Sequence, residues 1–164
     1  MAPKVRAFLS AALPLLVLDV VTKAMAYRDL QPIGIPHRLL GDAARFTLML
    51  NREAAMNITL GLWSRWGLAT IAVLGILLLL HWLRDAGPDA VARGAVLGLI
   101  AGGAAGNLVD RLRWEHGVVD FIDLGVGMHR FWTFNVADIG VVVGAALLAI
   151  QFARERPASS PPAS

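Results

Sequence analysis

Cysteine is absent from this 164-residue chain. Disulfides, thiolate metal sites and cysteine nucleophiles are therefore excluded. Charge is scarce as well. Asp, Glu, Lys and Arg make up 16% of the residues, well under the quarter or so found in a soluble domain. The formal excess is only +3, and no basic stripe with interleaved aromatics is present. That argues against a nucleic-acid partner and for contact with lipid headgroups. The four histidines (His37, His81, His116 and His129) stand apart, without metal-ligand spacing. Neither a metal nor another cofactor is expected.

Apolar residues are abundant, at 57%, and they come in blocks. A bilayer span takes about 20 of them in a helix. Four blocks qualify: 7–27, about 61–83, about 94–112 and 134–153. The first, "AFLSAALPLLVLDVVTKAMAY", follows Lys4 and Arg6 and carries Asp19 and Lys23 in its second half. It has a rival reading as a secretory signal peptide, with "AMA" at 24–26 as the cleavage site. Charges between the apolar run and that site count against it. The third, with "GAVLGLIAGGAAGNLV" at 94–109, is rich in Gly and Ala. Small residues let helices approach closely, so it should be the most enclosed helix.

The fold class expected is a membrane all-α protein, with four transmembrane helices and a small, partly β extramembrane cradle after the first. Residues 1–153 would form one four-helix domain. Within it, 28–57 is the cradle segment, where "RFTLMLN" (45–51) has strand-like composition. Residues 113–133 read as a polar and aromatic loop. The tail, 154–164, is rich in Pro and Ser and reads as disordered. Four spans place both termini on one side, but charge does not say which. The first and third loops carry Arg28, Arg38, Arg45, Arg52, Arg113 and Arg130. The termini and middle loop carry Lys4, Arg6, Arg84, Arg93, Arg154 and Arg156, so the positive-inside count ties.

The acids are more informative. Asp110 ends the third span, Asp120 and Asp123 lie in the following loop, and Asp138 opens the fourth span. All four therefore fall near one membrane face, approached by Asp19 and Lys23. Ionisable groups at membrane depth are costly and default to functional candidates. "NLVD" (107–110) echoes "NVAD" (135–138), and residues three apart share a helix face. In "NVAD", Asn135 could cap the helix with Asp138 as a variant capping-box partner, or Asp138 could do chemistry. From the fragment alone the two readings are even, and they are compatible. Asp110 sits at the unfavourable end of its helix dipole and wants compensation, most simply a salt bridge. Asp120, in "GVVDFID", has apolar company that raises a carboxyl pKa. Two carboxylates at a shielded site can share one proton, one acting as base toward water and the other polarising a carbonyl. That hydrolyses amides without metal or cysteine. Asp123 reads as a solvated loop acid. Trp114, Phe131, Trp132 and Phe134 read as an interfacial belt.

At these residues the sequence resembles lipoprotein signal peptidase (signal peptidase II), a family of bacterial membrane aspartic proteases. "DVVTK" (19–23), "GNLVDRL" (106–112), "GVVDF" (117–121) and "FNVAD" (134–138) match its motifs in order, across about 15–153. The resemblance implies an endopeptidase that cuts lipidated prolipoproteins just before the diacylglyceryl-modified cysteine. It implies Asp120 and Asp138 as the catalytic pair. Asp19, Lys23, Asn51, Asn107, Asp110, Arg111 and Asn135 would support the site or bind substrate. It further implies a monomer among membrane lipids of the cytoplasmic (inner) membrane, with cytoplasmic termini, a cytoplasmic tail, a retained first helix and an active site at the outer face. One segment departs from the family pattern Asn-x-Gly-Ala-Ala-Phe. In "NREAAM" (51–56), Glu53 replaces glycine and Met56 phenylalanine; Val20 stands where the family favours glutamine. These changes bear on substrate or inhibitor recognition and suggest a divergent paralogue. Two other functions compete: a lipoprotein-binding relative without catalysis, and a proton- or ion-coupled transporter. The latter needs an acid nearer mid-span than this chain supplies.

Overall fold

In the computed structural model, residues 1–51 and 64–155 are described. In chain order the elements are α1 (Pro3–Asp29), β1 (Pro36–Leu40), β2 (Ala44–Asn51), α2 (Ser64–Asp85), α3 (Val91–Arg113), β3 (Val118–Val126), β4 (His129–Arg130) and α4 (Val136–Glu155). All four helices are long and apolar enough to cross a membrane. They meet the four expected spans, with boundaries displaced by a few residues. α1 starts earlier, at Pro3, where a missing N–H costs nothing. α4 continues through Arg154 and Glu155, which the sequence assigned to the tail. Residues 61–63, the rest of the tail and the departing positions Glu53 and Met56 lie outside the described residues. "AMA" at 24–26 is helical, with Ala26 buried, rather than the extended segment a cleavage site would need.

α3 is the most enclosed helix, as its small residues predict. Gly94, Gly98, Gly102 and Gly106 recur every fourth residue and face α1 at Lys4, Phe8, Ala12 and Asp19. α1 and α3 therefore run parallel in close contact. A methyl group on Gly102 would lie 2.6 Å from the Ala12 carbonyl oxygen. Gly103 makes the corresponding approach to Ala137 on α4. Phe8, Ala12, Leu79, Leu83, Val96, Leu97, Ala101 and Leu148 form the core of the opposite half. Leu13, Val17 and Leu18 on α1, Ile71, Leu74 and Leu77 on α2, and Val142 and Val143 on α4 point outward. Such faces suit hydrocarbon, since lipid offers no reason to bury them.

The cradle differs from expectation in one respect. The segment 113–133, read as a loop, contributes half of the sheet. The four strands are antiparallel in the order β1-β2-β3-β4. β2 pairs with β3 so that Met49 lies opposite Asp120 and Asn51 opposite Val118. Residues 118–121 of β3 are all buried, which erases the alternation that marks a half-exposed strand. Gly117, at φ +90°, takes the left-handed conformation between α3 and β3. Before α4, the Phe134 carbonyl accepts hydrogen bonds from the Phe121 and Ile122 amides (3.0 and 2.8 Å). That lashes the start of α4 to β3 and brings Asn135 beside Asp120.

Candidate active site

Every candidate residue of the sequence converges at the sheet end of the bundle. The start of α4 is a reciprocal cap. Asn135 Oδ1 accepts from the Asp138 amide at 3.0 Å, and Asp138 Oδ2 accepts from the Asn135 amide at 3.1 Å. The capping reading of "NVAD" is thus realised, with Asp in the role usually taken by Glu. It occupies only one Asp138 oxygen. The other, Oδ1, accepts from Asn107 Nδ2 at 2.8 Å, across from α3.

Asn135 also reaches the second aspartate. Its Nδ2 donates to Asp120 Oδ1 at 2.6 Å and to Asn107 Oδ1 at 3.1 Å. Asn51, at the end of β2, donates to Asp120 Oδ2 at 3.0 Å. Asp120 and Asp138 come from a strand and a helix, yet each accepts from one member of a hydrogen-bonded asparagine pair, Asp120 from Asn135 and Asp138 from Asn107. Asp120 is only 4% exposed. Burial, and then the negative charge of Asp138, push its carboxyl up to about 7, against the opposing hydrogen bonds from Asn51 and Asn135 and the charge of Lys23. The raised pKa expected from its apolar neighbours is therefore present.

Beneath this pair lies a buried ion cluster. Lys23 Nζ stands 2.7 Å from Asp19 Oδ2, 3.2 Å from Asp110 Oδ2 and 2.8 Å from Asn107 Oδ1. Asp110 thus finds the compensation its helix position demanded, and its Oδ2 also accepts from the Val119 amide at 3.1 Å. Asp19, fully buried, accepts at Oδ1 from the Ala137 amide at 2.8 Å. A carboxylate of α1 therefore caps the positive end of α4. Gly106 makes room for it: a methyl group there would press on the Asp19 carboxylate. Arg111 donates to the Asn107 carbonyl at 3.2 Å, and its charge acts on Asp138, Asp120 and Asp110.

Asp123 corrects the sequence reading. It is not a solvated loop acid but 4% exposed. Thr47 Oγ1 and Arg45 Nε each donate to its Oδ2 at 2.9 Å; Arg130 grips Oδ1 through Nε (2.9 Å) and Nη2 (2.6 Å). Burial opposes its charge, but these hydrogen bonds outweigh it and hold the carboxyl below the ordinary carboxylate value. Arg45 and Asp123 are cross-strand partners, a relation invisible until β2 and β3 are paired. Sequence reasoning also passed over Arg65, whose guanidinium binds the Arg111 and Leu112 carbonyls at the end of α3.

Fold and site together define a multi-pass membrane protein that holds two aspartates in an amide-lined site where its sheet meets its helices. Comparison with known proteins then specifies the family. A family model described as signal peptidase (SPase) II matches residues 11–154. A protein named lipoprotein signal peptidase in Mycobacterium tuberculosis (strain ATCC 25618 / H37Rv) is 41% identical over 155 residues, covering 90% of this chain and 71% of its own. One of the same name in Coxiella burnetii (strain Dugway 5J108-111) is 37% identical, with 82% of each chain covered. A bacterial membrane enzyme solved in meso at 2.3 Å shares the fold, with a TM-score of 0.81, 24% identity and coverage of 96% of this chain and 93% of that one. The chain belongs to the signal peptidase II family: it is a membrane protease of lipoprotein processing.

Proposed function

We propose that the protein is an aspartic endopeptidase whose catalytic pair is Asp120 and Asp138. Its substrates are bacterial prolipoproteins, cut before the diacylglyceryl-modified cysteine. One observation carries this reading: two aspartates accept from the two members of one hydrogen-bonded asparagine pair, and the buried one titrates near neutrality. Asp120 then holds the shared proton and Asp138 serves as base.

The steps balance. Asp138 removes a proton from water as the water oxygen bonds to the scissile carbonyl carbon, and Asp120 delivers its proton to the carbonyl oxygen. The tetrahedral diol collapses as the C–N bond breaks. Asp138 gives its proton to the leaving amine, and Asp120 regains one from the hydroxyl. Asn51 and Asn135 orient Asp120, while Asn107 and the cap of α4 orient Asp138. By family analogy the sheet end faces outward, the termini face the cytoplasm, and the chain acts as a monomer in the inner membrane. The sheet then forms the cradle against which an extended substrate lies.

The deciding measurement is cleavage of one precursor in lipidated and unlipidated forms by purified protein. Turnover of the lipidated form that is lost in Asp120→Asn and in Asp138→Asn, with both variants still folded, is the expected result. Full activity in either variant defeats the assignment.

A further inference from the structure

The geometry points to Lys23 as the positioning residue that sets the polarity of the Asn107 amide, so that Asp138 always meets its N–H donor. This rests on the catalytic pair proposed above. A lysine ammonium has three protons and can only donate. All three directions are used, toward Asp19, Asp110 and Asn107. The Asn107 group facing Lys23 must therefore be its carbonyl oxygen, which turns Nδ2 toward Asp138 Oδ1. The same oxygen accepts from Asn135 Nδ2, which also donates to Asp120 Oδ1. Asn135 Oδ1 is then left to accept from the Asp138 amide. The Asp138 N–H, which can only donate, fixes the Asn135 amide, and the buried cation holds the Asn107 oxygen toward itself.

Catalysis gives this a purpose. When Asp138 holds the proton taken from water, it could donate to an amide oxygen, and a flipped Asn107 would trap it there. With Lys23 in place, Asn107 offers only N–H, so the proton moves on to the leaving amine. Lys23 touches neither substrate nor the reacting atoms in this scheme. It acts through Asn107, and its charge also bears on Asp120.

The test compares Lys23→Met, Lys23→Arg, Asn107→Ala and the Lys23→Met/Asn107→Ala double variant of the full chain. Cleavage of a lipidated precursor is followed from pH 5 to 9. Because Lys23→Met leaves two acids beside a lost cation, Lys23→Met/Asp110→Asn is made as well. It keeps the local charge of Asp19, Lys23 and Asp110 at −1, as in the native cluster, and guards against misfolding. Lys23→Met, or this charge-matched variant, should lower kcat by roughly tenfold to a hundredfold, the scale of a small misplacement of catalytic groups. KM should change little, and in Lys23→Met the alkaline limb should move to higher pH as Asp120 loses a nearby cation. Lys23→Arg should restore the limb. The Lys23→Met/Asn107→Ala double variant should be no slower than the slower single one, because both act through the same amide. Additive losses in the double variant, an unmoved limb in folded Lys23→Met, or native kcat in its charge-matched form would overturn the inference. Native turnover that survives Asp120→Asn would instead overturn the catalytic pair itself.

Discussion

Replacing Asp120 with asparagine should abolish cleavage and yet favour the folded state increasingly as pH rises, with net stabilisation by pH 8. In the folded chain the Asp120 carboxyl ionises at about 7, against 3.8 for the unperturbed group. A carboxyl whose folded pKa is raised loses stability as pH climbs from the unfolded value to the folded one, because the unfolded chain gives up its proton first. At about 1.4 kcal/mol per unit, native Asp120 costs roughly 1.5 kcal/mol at pH 5 and roughly 4 kcal/mol at pH 8. Asparagine removes that cost at every pH. Its amide supplies only one oxygen for the two donors, Asn51 and Asn135, so about 1–3 kcal/mol is given back at every pH. The pH-independent loss cancels when the variant is compared with itself. The stability difference between variant and native protein should therefore rise by roughly 2.5 kcal/mol between pH 5 and pH 8. Thermal unfolding in detergent, at closely spaced pH values, measures this without any substrate. A difference that stays flat across that range would show that Asp120 is not the near-neutral acid, and the proton assignment would fall with it.

Four further outcomes follow from the same geometry. Asp138→Asn should lower the Asp120 pKa without returning it to the ordinary value, since burial is the larger cause; the carboxyl band of isotopically labelled aspartate in infrared titration reads this, and a rise would contradict it. Native kcat/KM should fall on the alkaline side with an apparent pKa near 7, the point where Asp120 loses its proton; a profile level from pH 6 to 9 would rule Asp120 out as the acid. Gly106→Ala should drive the Asp19 carboxylate off the start of α4 and destabilise the fold by about 1–3 kcal/mol, the cost of overpacking, measured as a fall in Tm. Asp123 has a depressed pKa, so its stabilisation is complete above the unfolded carboxylate value and fades as pH drops through the folded one. Asp123→Asn should therefore cost most near pH 7 and least below pH 3, read as the Tm difference from the native protein.

The helices were legible because a bilayer imposes a length and a composition that any window of sequence reveals. The Gly-rich third block announced its enclosure for the same reason: only glycine admits backbone contact like that between Gly102 and Ala12. β3 was not legible. Buried on both faces along 118–121, and interrupted by two acids, it carries no alternation, and its partner lies some 70 residues away. Everything that depends on the β2–β3 register was hidden with it. Asp123 is the clearest case. In the sequence it is one more acid in a polar loop, and nothing local brings Arg45 and Thr47 to it. Asp120, one position after Val119, whose amide binds Asp110, was readable because its immediate neighbours are apolar.

The site residues were legible to the extent that their reasons were local. Asn135 and Asp138 are spaced for a cap, and the cap forms. The nonlocal reason is what makes that cap a site. A helix start needs only its own side chains to satisfy its first amides, but α4 is capped twice, once by Asn135 and again by Asp19 from α1. Asp19 holds the Ala137 amide, and Asp138 gives only Oδ2 to the reciprocal cap. Its Oδ1 is left to Asn107, and Asn107 answers to Lys23 on the same helix as Asp19. The first helix therefore does two things at one place: it satisfies a further amide at the start of α4, and it holds the Asn107 amide that orients the other oxygen of Asp138.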